Sequence, residues 1–407
     1  MAQGFLCCGA ECGVSDASGV TRHLNFRGTS PTFDTTTVRT GLRALNCKAT
    51  LGSSFAITPT VSSTLYVGRF YVRFVILPTL TCTIVEGRGA SNVGVYYKAS
   101  DSKLYAGYGL SNLGATGVAV TTGVWYRVDF KFNVSTNPWT IDAMINGVAV
   151  GQITKAAATG GISNLDLGIG ELSTPTHEVL YDDLLLSATV ADYPLGAGYV
   201  FSYIPNADGS HNVAGANDFE KTLTGTDITN ATTDAYQLVD DRPLPASSVD
   251  FINGIAPPND TDYVEIAYEN SQEARAPRLV DAMFIHHDAG GAGTNDFTVT
   301  LRDSVGGTSQ DIFTGATNVG ATISARRQFF QDIPGGGTWT LGAFNALRSR
   351  FLVTDASPDV YLDALMLEAE YATTADARLQ VASPMGLGIS SQRVNLTPSA
   401  NYFMGVM

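Results

Sequence analysis

Short runs rich in Val, Ile, Tyr, Phe and Thr recur along the whole chain, broken by Gly, Asn, Asp and Pro. No segment long enough for an ordinary helix keeps an apolar period of 3.6 residues. β-branched and aromatic residues favour a pleated, half-buried surface, and many short strands without intervening helices imply sandwiches or barrels rather than a parallel α/β sheet. Residues 124–132 (VWYRVDFKF) alternate cleanly, with Tyr126, Val128, Phe130 and Phe132 on one side and Arg127, Asp129 and Lys131 on the other. One face is therefore dry and the other polar. Residues 66–77 place Arg69 and Arg73 opposite Phe70 and Val72, and residues 92–98 with 103–108 read as a hairpin. Asn146-Gly147 between two apolar runs predicts a tight hairpin, because both central residues of a type I′ turn need positive φ. A short helix is predicted near 342–347.

The fold class expected is all-β: two tandem antiparallel β-sandwich domains of jelly-roll type. The predicted boundaries are an N-terminal arm at 1–19, a first sandwich at 20–190, an ordered connector at 191–247, a second sandwich at 248–371 and a C-terminal arm at 372–407. The connector rests on turn chemistry such as Ala207-Asp208-Gly209 and Arg242-Pro243-Leu244-Pro245, and its length predicts a few short strands or a helical turn within it. The C-terminal segment carries Leu379, Val381, Met385, Leu387, Ile389, Tyr402 and Phe403, which an arm docked on a neighbour would bury.

Composition narrows the partners. Charged residues make up 15% of the 407 and the net charge is −14, whereas an average soluble protein carries roughly 25% charged residues. A nucleic-acid ligand needs a basic stripe, and the basic residues here form only local groups such as Arg39/Arg43 and Arg326, Arg327, Arg348, Arg350. An acidic chain is also a poor match for anionic membrane. The start lacks a basic leader and an apolar core, so the expectation is that the chain stays in the cytoplasm where it is made or leaves by assembly or lysis. Five cysteines (Cys7, Cys8, Cys12, Cys47, Cys82) are an odd count without a zinc spacing, which reads as reduced thiols.

Gly123-Val124-Trp125-Tyr126-Arg127-Val128, Ile145-Asn146-Gly147-Val148 and Tyr181-Asp182-Asp183-Leu184 resemble the laminin-G-like form of the concanavalin A-like lectin/glucanase superfamily over about 20–190. The segment 203–212 (YIPNADGSHN), the Leu238–Asp241 stretch, and the motifs Trp339-Thr340-Leu341 and Leu367-Glu368-Ala369-Glu370-Tyr371 are similar to structural proteins of tailed bacteriophages. The resemblance implies a virion structural protein, as a capsid decoration or a tail-tip or fibre component. It would assemble in the host cytoplasm with other virion proteins, as a homo-oligomer, without nucleic acid or membrane. The alternative is a carbohydrate-binding adhesin that takes a host-surface glycan, and a glycan hydrolase or lyase is the lesser one.

Few residues suggest chemistry. Glucanases of this fold set two Glu around an Asp on one strand, and no Glu-x-Asp-x-x-Glu run is present; Glu265 and Glu269 share a strand face without the Asp. The chain is therefore expected to be non-enzymatic. Trp125 and Trp139 are the candidate ligand-binding residues, since an exposed indole can stack on a sugar ring. Asp182 and Asp183 are the candidate metal ligands, and calcium bound by loop oxygens is the single cofactor left open. The Gly-rich stretch 290–296 reads as a flexible hairpin loop.

Overall fold

The computed structural model describes residues 6–9, 25–29, 31–58, 63–89, 92–157, 160–170, 173–214, 218–222, 225–241, 250–255, 261–288, 295–303, 307–317, 324–355 and 359–373. The predicted Gly-rich loop at 290–296 and C-terminal arm at 372–407 fall almost wholly outside these residues, as does most of the N-terminal arm.

The protein is all-β, with antiparallel sheets paired into two sandwiches. The first sandwich joins a nine-stranded sheet, centred on Leu65–Ile76 and His177–Ser187, to a seven-stranded sheet that includes Cys82–Gly89, Val93–Lys98, Lys103–Tyr108 and Ile162–Ile169. Its core follows the alternation in the sequence: Phe70, Val72, Val128, Phe130 and Phe132 face Ile84, Val95, Leu104 and Leu167. Gly68 is needed for close approach, because a Cβ there would overlap the Phe130 ring. The hairpin at Asn146-Gly147 forms, with φ +51 and +81. The 93–98/103–108 hairpin and a helix at Leu341–Asn345 are also present; Thr340 Oγ1 caps the helix by accepting from Ala343 N at 3.0 Å. At the N-terminus, Leu6–Cys8 adds a strand against the 184–186 end of His177–Ser187.

The segment predicted as a connector is built into the second sandwich. Gly198–Tyr203 pairs with Val360–Ala372, Pro205–Asp208 with Tyr263–Tyr268, and Phe219–Lys221 with Ile252–Gly254. The short strands expected within it are present, and they pair into the sheets of the second sandwich rather than crossing between domains. Asp208 accepts from the N–H groups of Ala235 (2.9 Å) and Tyr236 (2.7 Å). His211 Nδ1 accepts from Glu265 N at 3.0 Å while its Nε2 faces Asp208 Oδ2 at 3.3 Å, so the motif 203–212 pins one strand to the next. Val239 O accepts from Leu365 N at 3.0 Å, which fastens the Leu238–Asp241 stretch to the long strand Val360–Ala372. The second core sits between a seven-stranded and a five-stranded sheet and is dense in Phe, including Phe284, Phe297 and Phe351.

The two sandwiches meet sheet to sheet. Val67 and Leu185 from the first contact Val200 and Leu279 from the second. Across this layer, Arg69 Nη1 donates to Glu370 Oε1 at 2.8 Å, with both side chains fully buried. Arg278 adds a forked pair to the same carboxylate, Nη2 to Oε1 at 2.7 Å and Nε to Oε2 at 2.8 Å. Burial alone would raise the Glu370 carboxyl, but Arg69 and Arg278 outweigh it and hold it below its ordinary value. Next to this pair, Arg327 Nη2 binds Glu368 Oε2 at 2.8 Å and also pairs with Asp281. Gly196 N donates to Asp129 Oδ1 at 3.0 Å. The central part of the nine-stranded sheet's outer face, around Leu65–Ile76 and His177–Ser187, is thereby committed to the second sandwich.

Candidate functional site

Asp182 and Asp183 lie in this junction. A bulge in His177–Ser187 between Asp182 and Leu185, with Asp183 at φ +52, turns the Asp183 carboxylate toward the second sandwich. Its Oδ1 accepts from Thr40 Oγ1 (2.6 Å) and from Val200 N (2.6 Å), and its Oδ2 pairs with Arg39. Asp182 Oδ2 accepts from Arg39 N (2.9 Å) and Thr40 N (3.3 Å), and Asp182 Oδ1 from Asp183 N (2.8 Å). These oxygens are occupied by N–H and O–H donors, whereas calcium requires a shell made of acceptors. Calcium at Asp182 and Asp183 is corrected on that ground: Asp182 holds Arg39 and Thr40 within the first sandwich, and Asp183 reaches Val200 of the second. Among the described residues no group of three or more His, Cys, Asp or Glu side chains is placed to hold a metal ion.

The tryptophans separate. Trp139 is buried, in phase with Ile141, Ala143 and Ile145, and Lys155 lies over its ring at 5.0 Å. That position serves the first core, not a sugar. Trp125 is half-buried at the start of its strand, opposite Arg73, on the face of the nine-stranded sheet that carries Arg127 and Asp129.

The side chains that do converge on a chemically useful group belong to the outer face of the first sandwich's seven-stranded sheet. Antiparallel register sets Glu86 opposite Asp166, and both are buried. Asp166 Oδ2 is ion-paired to Arg88 Nε, and the Arg88 guanidinium lies 5.1 Å from the Phe55 ring. Tyr96 Oη, also buried, faces Glu86 Oε1 at 3.3 Å and accepts from Gly109 N at 2.9 Å. Gly170 leaves room at the centre. A Cβ there would sit 3.4 Å from Thr83 Oγ1, 3.7 Å from Glu86 Oε2 and 3.8 Å from Asp166 Oδ2, so three side-chain oxygens surround one point. Burial pushes the Glu86 carboxyl up to about 7, Asp166 adds to the rise, and Arg88 and Tyr96 oppose it. Near neutral pH the group holds a buried carboxyl close to its titration point beside a buried carboxylate, with the half-buried Arg88 guanidinium at the rim. Of this set the Arg88 guanidinium is the member that reaches the surface, where it can donate to the hydroxyls of a polyol.

Sequence reading missed this group because its members lie 80 residues apart, on strands whose pairing no local pattern reveals. The available signal was a charged residue, Glu86, directly after the apolar run of its strand. By contrast, Glu265 is clamped by Arg302 (3.1 Å) and Arg350 (2.5 Å) and accepts from Ser210 N (3.0 Å), which is a structural ion cluster.

No protein-family profile matches the chain, and no curated protein matches it. Solved structures do show partial likeness. Domain 4 of AbnA, an extracellular GH43 arabinanase from Geobacillus stearothermophilus solved with arabinotriose, is 19% identical, with a TM-score of 0.35, over 46% of this chain and 92% of that one. Trypanosoma rangeli sialidase is 13% identical, with a TM-score of 0.30, over 46% of this chain and 30% of the sialidase. A further sialidase is 11% identical, with a TM-score of 0.35, over 47% of this chain and 19% of that one. Likeness of this degree transfers neither an activity nor a ligand. The expectation of a non-enzymatic chain is withdrawn, and no activity is assigned in its place. The ground for that expectation, a missing motif on one strand, also overlooked a carboxyl pair assembled from two.

Proposed function

We propose that the chain is a glycan-binding protein whose saccharide contacts are made by the outer face of the first sandwich's seven-stranded sheet. The observation that carries this reading is the Glu86, Asp166, Arg88 and Tyr96 group. It places donors and acceptors on the sheet opposite the one covered by the second sandwich. The second sandwich then acts as a rigid mount. Arg88 is the contact residue at the rim, and Glu86 and Asp166 fix its direction and polarity from beneath.

On a glycan array, the wild-type chain is expected to bind a defined saccharide class, and Arg88→Ala to weaken that binding at least tenfold, about 1.4 kcal/mol. Trp125→Ala, on the other sheet, should leave the binding unchanged. Retained binding by a folded Arg88→Ala variant, or loss confined to Trp125→Ala, would refute this assignment of the face.

A second reading, a structural component of a tailed-phage virion, is favoured by the phage-like segments 203–212 and 238–241, both of which fasten strands of the second sandwich. Mass spectrometry of purified particles decides it: the chain is present in stoichiometric amount or the reading fails.

A further inference from the structure

His286 stands inside the second core. It lies on the strand Leu279–Asp288, is fully buried, and its ring centroid is 5.0 Å from Phe297, 5.6 Å from Phe284 and 6.3 Å from Phe313. Among the described residues neither ring nitrogen has a hydrogen-bonding partner, and the hydroxyl of its cross-strand neighbour Ser324 has none either. An apolar core gains nothing from an imidazole that phenylalanine would not supply, and an unpaired buried polar group costs stability.

We propose that His286 is an acid trigger for the second sandwich: protonation of its imidazole is incompatible with the folded Phe-rich core, so acidification opens the protein there. The surroundings support this at every side. Arg326, on the adjacent strand Ser324–Phe330, lies with its guanidinium 5.0 Å from the Phe313 ring and repels a second positive charge. His287, next in the chain, adds to that repulsion. Asp363, on the strand Val360–Ala372, is turned to His287, with Nδ1 and Oδ2 2.9 Å apart. From the facing sheet come Phe297 and Phe313; Asp296, beside Phe297, is exposed, and Asp311 is the acidic residue of the Phe313 strand. No carboxylate of the described residues pairs with the His286 ring. Burial, then Arg326 and His287, push the imidazole down from 6.5 to about 3.

A folded-state value below the unfolded one means that the unfolded chain takes up a proton which the folded chain refuses. Stability from this group is complete above pH 6.5 and is lost as pH falls from 6.5 toward 3. The expected consequence is a protein firm at neutral pH that loosens in acidified surroundings.

Equilibrium urea unfolding of the full chain at pH 7, 6 and 5, beside His286→Phe and His286→Leu, tests this. Between pH 7 and 5 the unfolding constant of the wild type should rise about 25-fold more than that of either variant, since each unit below 6.5 is tenfold. The aspartates and glutamates titrate in all three chains and cancel. Equal pH dependence in wild type and a folded variant would overturn the proposal. If neither variant folds, the wild-type histidine NMR signals decide. A His286 signal that stays neutral down to pH 5 upholds the proposal, and one that titrates above pH 6 in the folded protein overturns it.

Discussion

Replacing Glu370 with alanine is expected to destabilise the fold by about 3–5 kcal/mol, read as a lower urea midpoint at pH 7. The loss comes from what remains: Arg69, fully buried, keeps its charge without the carboxylate that compensates it. Removing both partners, as in Arg69→Met with Glu370→Leu, should recover most of that loss, because an apolar pair of similar volume strands no charge. The pH dependence follows from the depressed value of Glu370. Its contribution is fully present above the unfolded value of 4.5 and disappears as pH falls through the lower folded value, so wild-type stability should drop below pH 4.5 more steeply than that of Glu370→Gln. An Arg69→Met/Glu370→Leu chain no more stable than Glu370→Ala would show that the layer depends on something other than charge compensation.

Gly198→Ala is expected to cost about 3 kcal/mol or more, an unusually large effect for one methyl group. Gly198 begins the strand that enters the second sandwich, and a Cβ there would overlap the Arg69 guanidinium and the Glu370 carboxylate and come within 2.7 Å of Tyr371 O. Two of these neighbours are the ion pair and the third is backbone, so none can yield cheaply. Gly342→Ala is the matching control: it lies in a short helix with nothing within 4 Å of the added carbon. Alanine there should be neutral or should stabilise by up to ~1 kcal/mol. In calorimetry Gly198→Ala should split the unfolding transition, with the two sandwiches melting apart, whereas Gly342→Ala should keep the wild-type profile.

The layers of this fold were legible wherever the information is local. Residues 124–132 declared their dry face by alternation, Asn146-Gly147 declared its turn by backbone chemistry, and the helix at Leu341–Asn345 was placed within a residue or two. Trp139 was also legible, since its phase with Ile141, Ala143 and Ile145 places it in the core, although stacking chemistry also made it a ligand-binding candidate. What depends on tertiary pairing was not legible. Asp182 and Asp183 looked like cation ligands because a carboxylate's partners cannot be read from its own strand, and here they are Arg39, Thr40 and Val200. Tyr199, Val200, Phe201 and Tyr203 lie in the stretch assigned to a connector, and only register with Val360–Ala372 places them in a sheet of the second sandwich. Glu86 and Asp166 meet only because Cys82–Gly89 and Ile162–Ile169 are neighbours in one sheet.

The two sandwiches share a buried charged layer, and the proposed rigid mounting of a glycan-binding face depends on that. Differential scanning calorimetry of the wild-type chain at neutral pH tests it most directly. One endotherm, with equal calorimetric and van't Hoff enthalpies, is the predicted result. Two separate endotherms, with the first sandwich outlasting the second, would contradict the account.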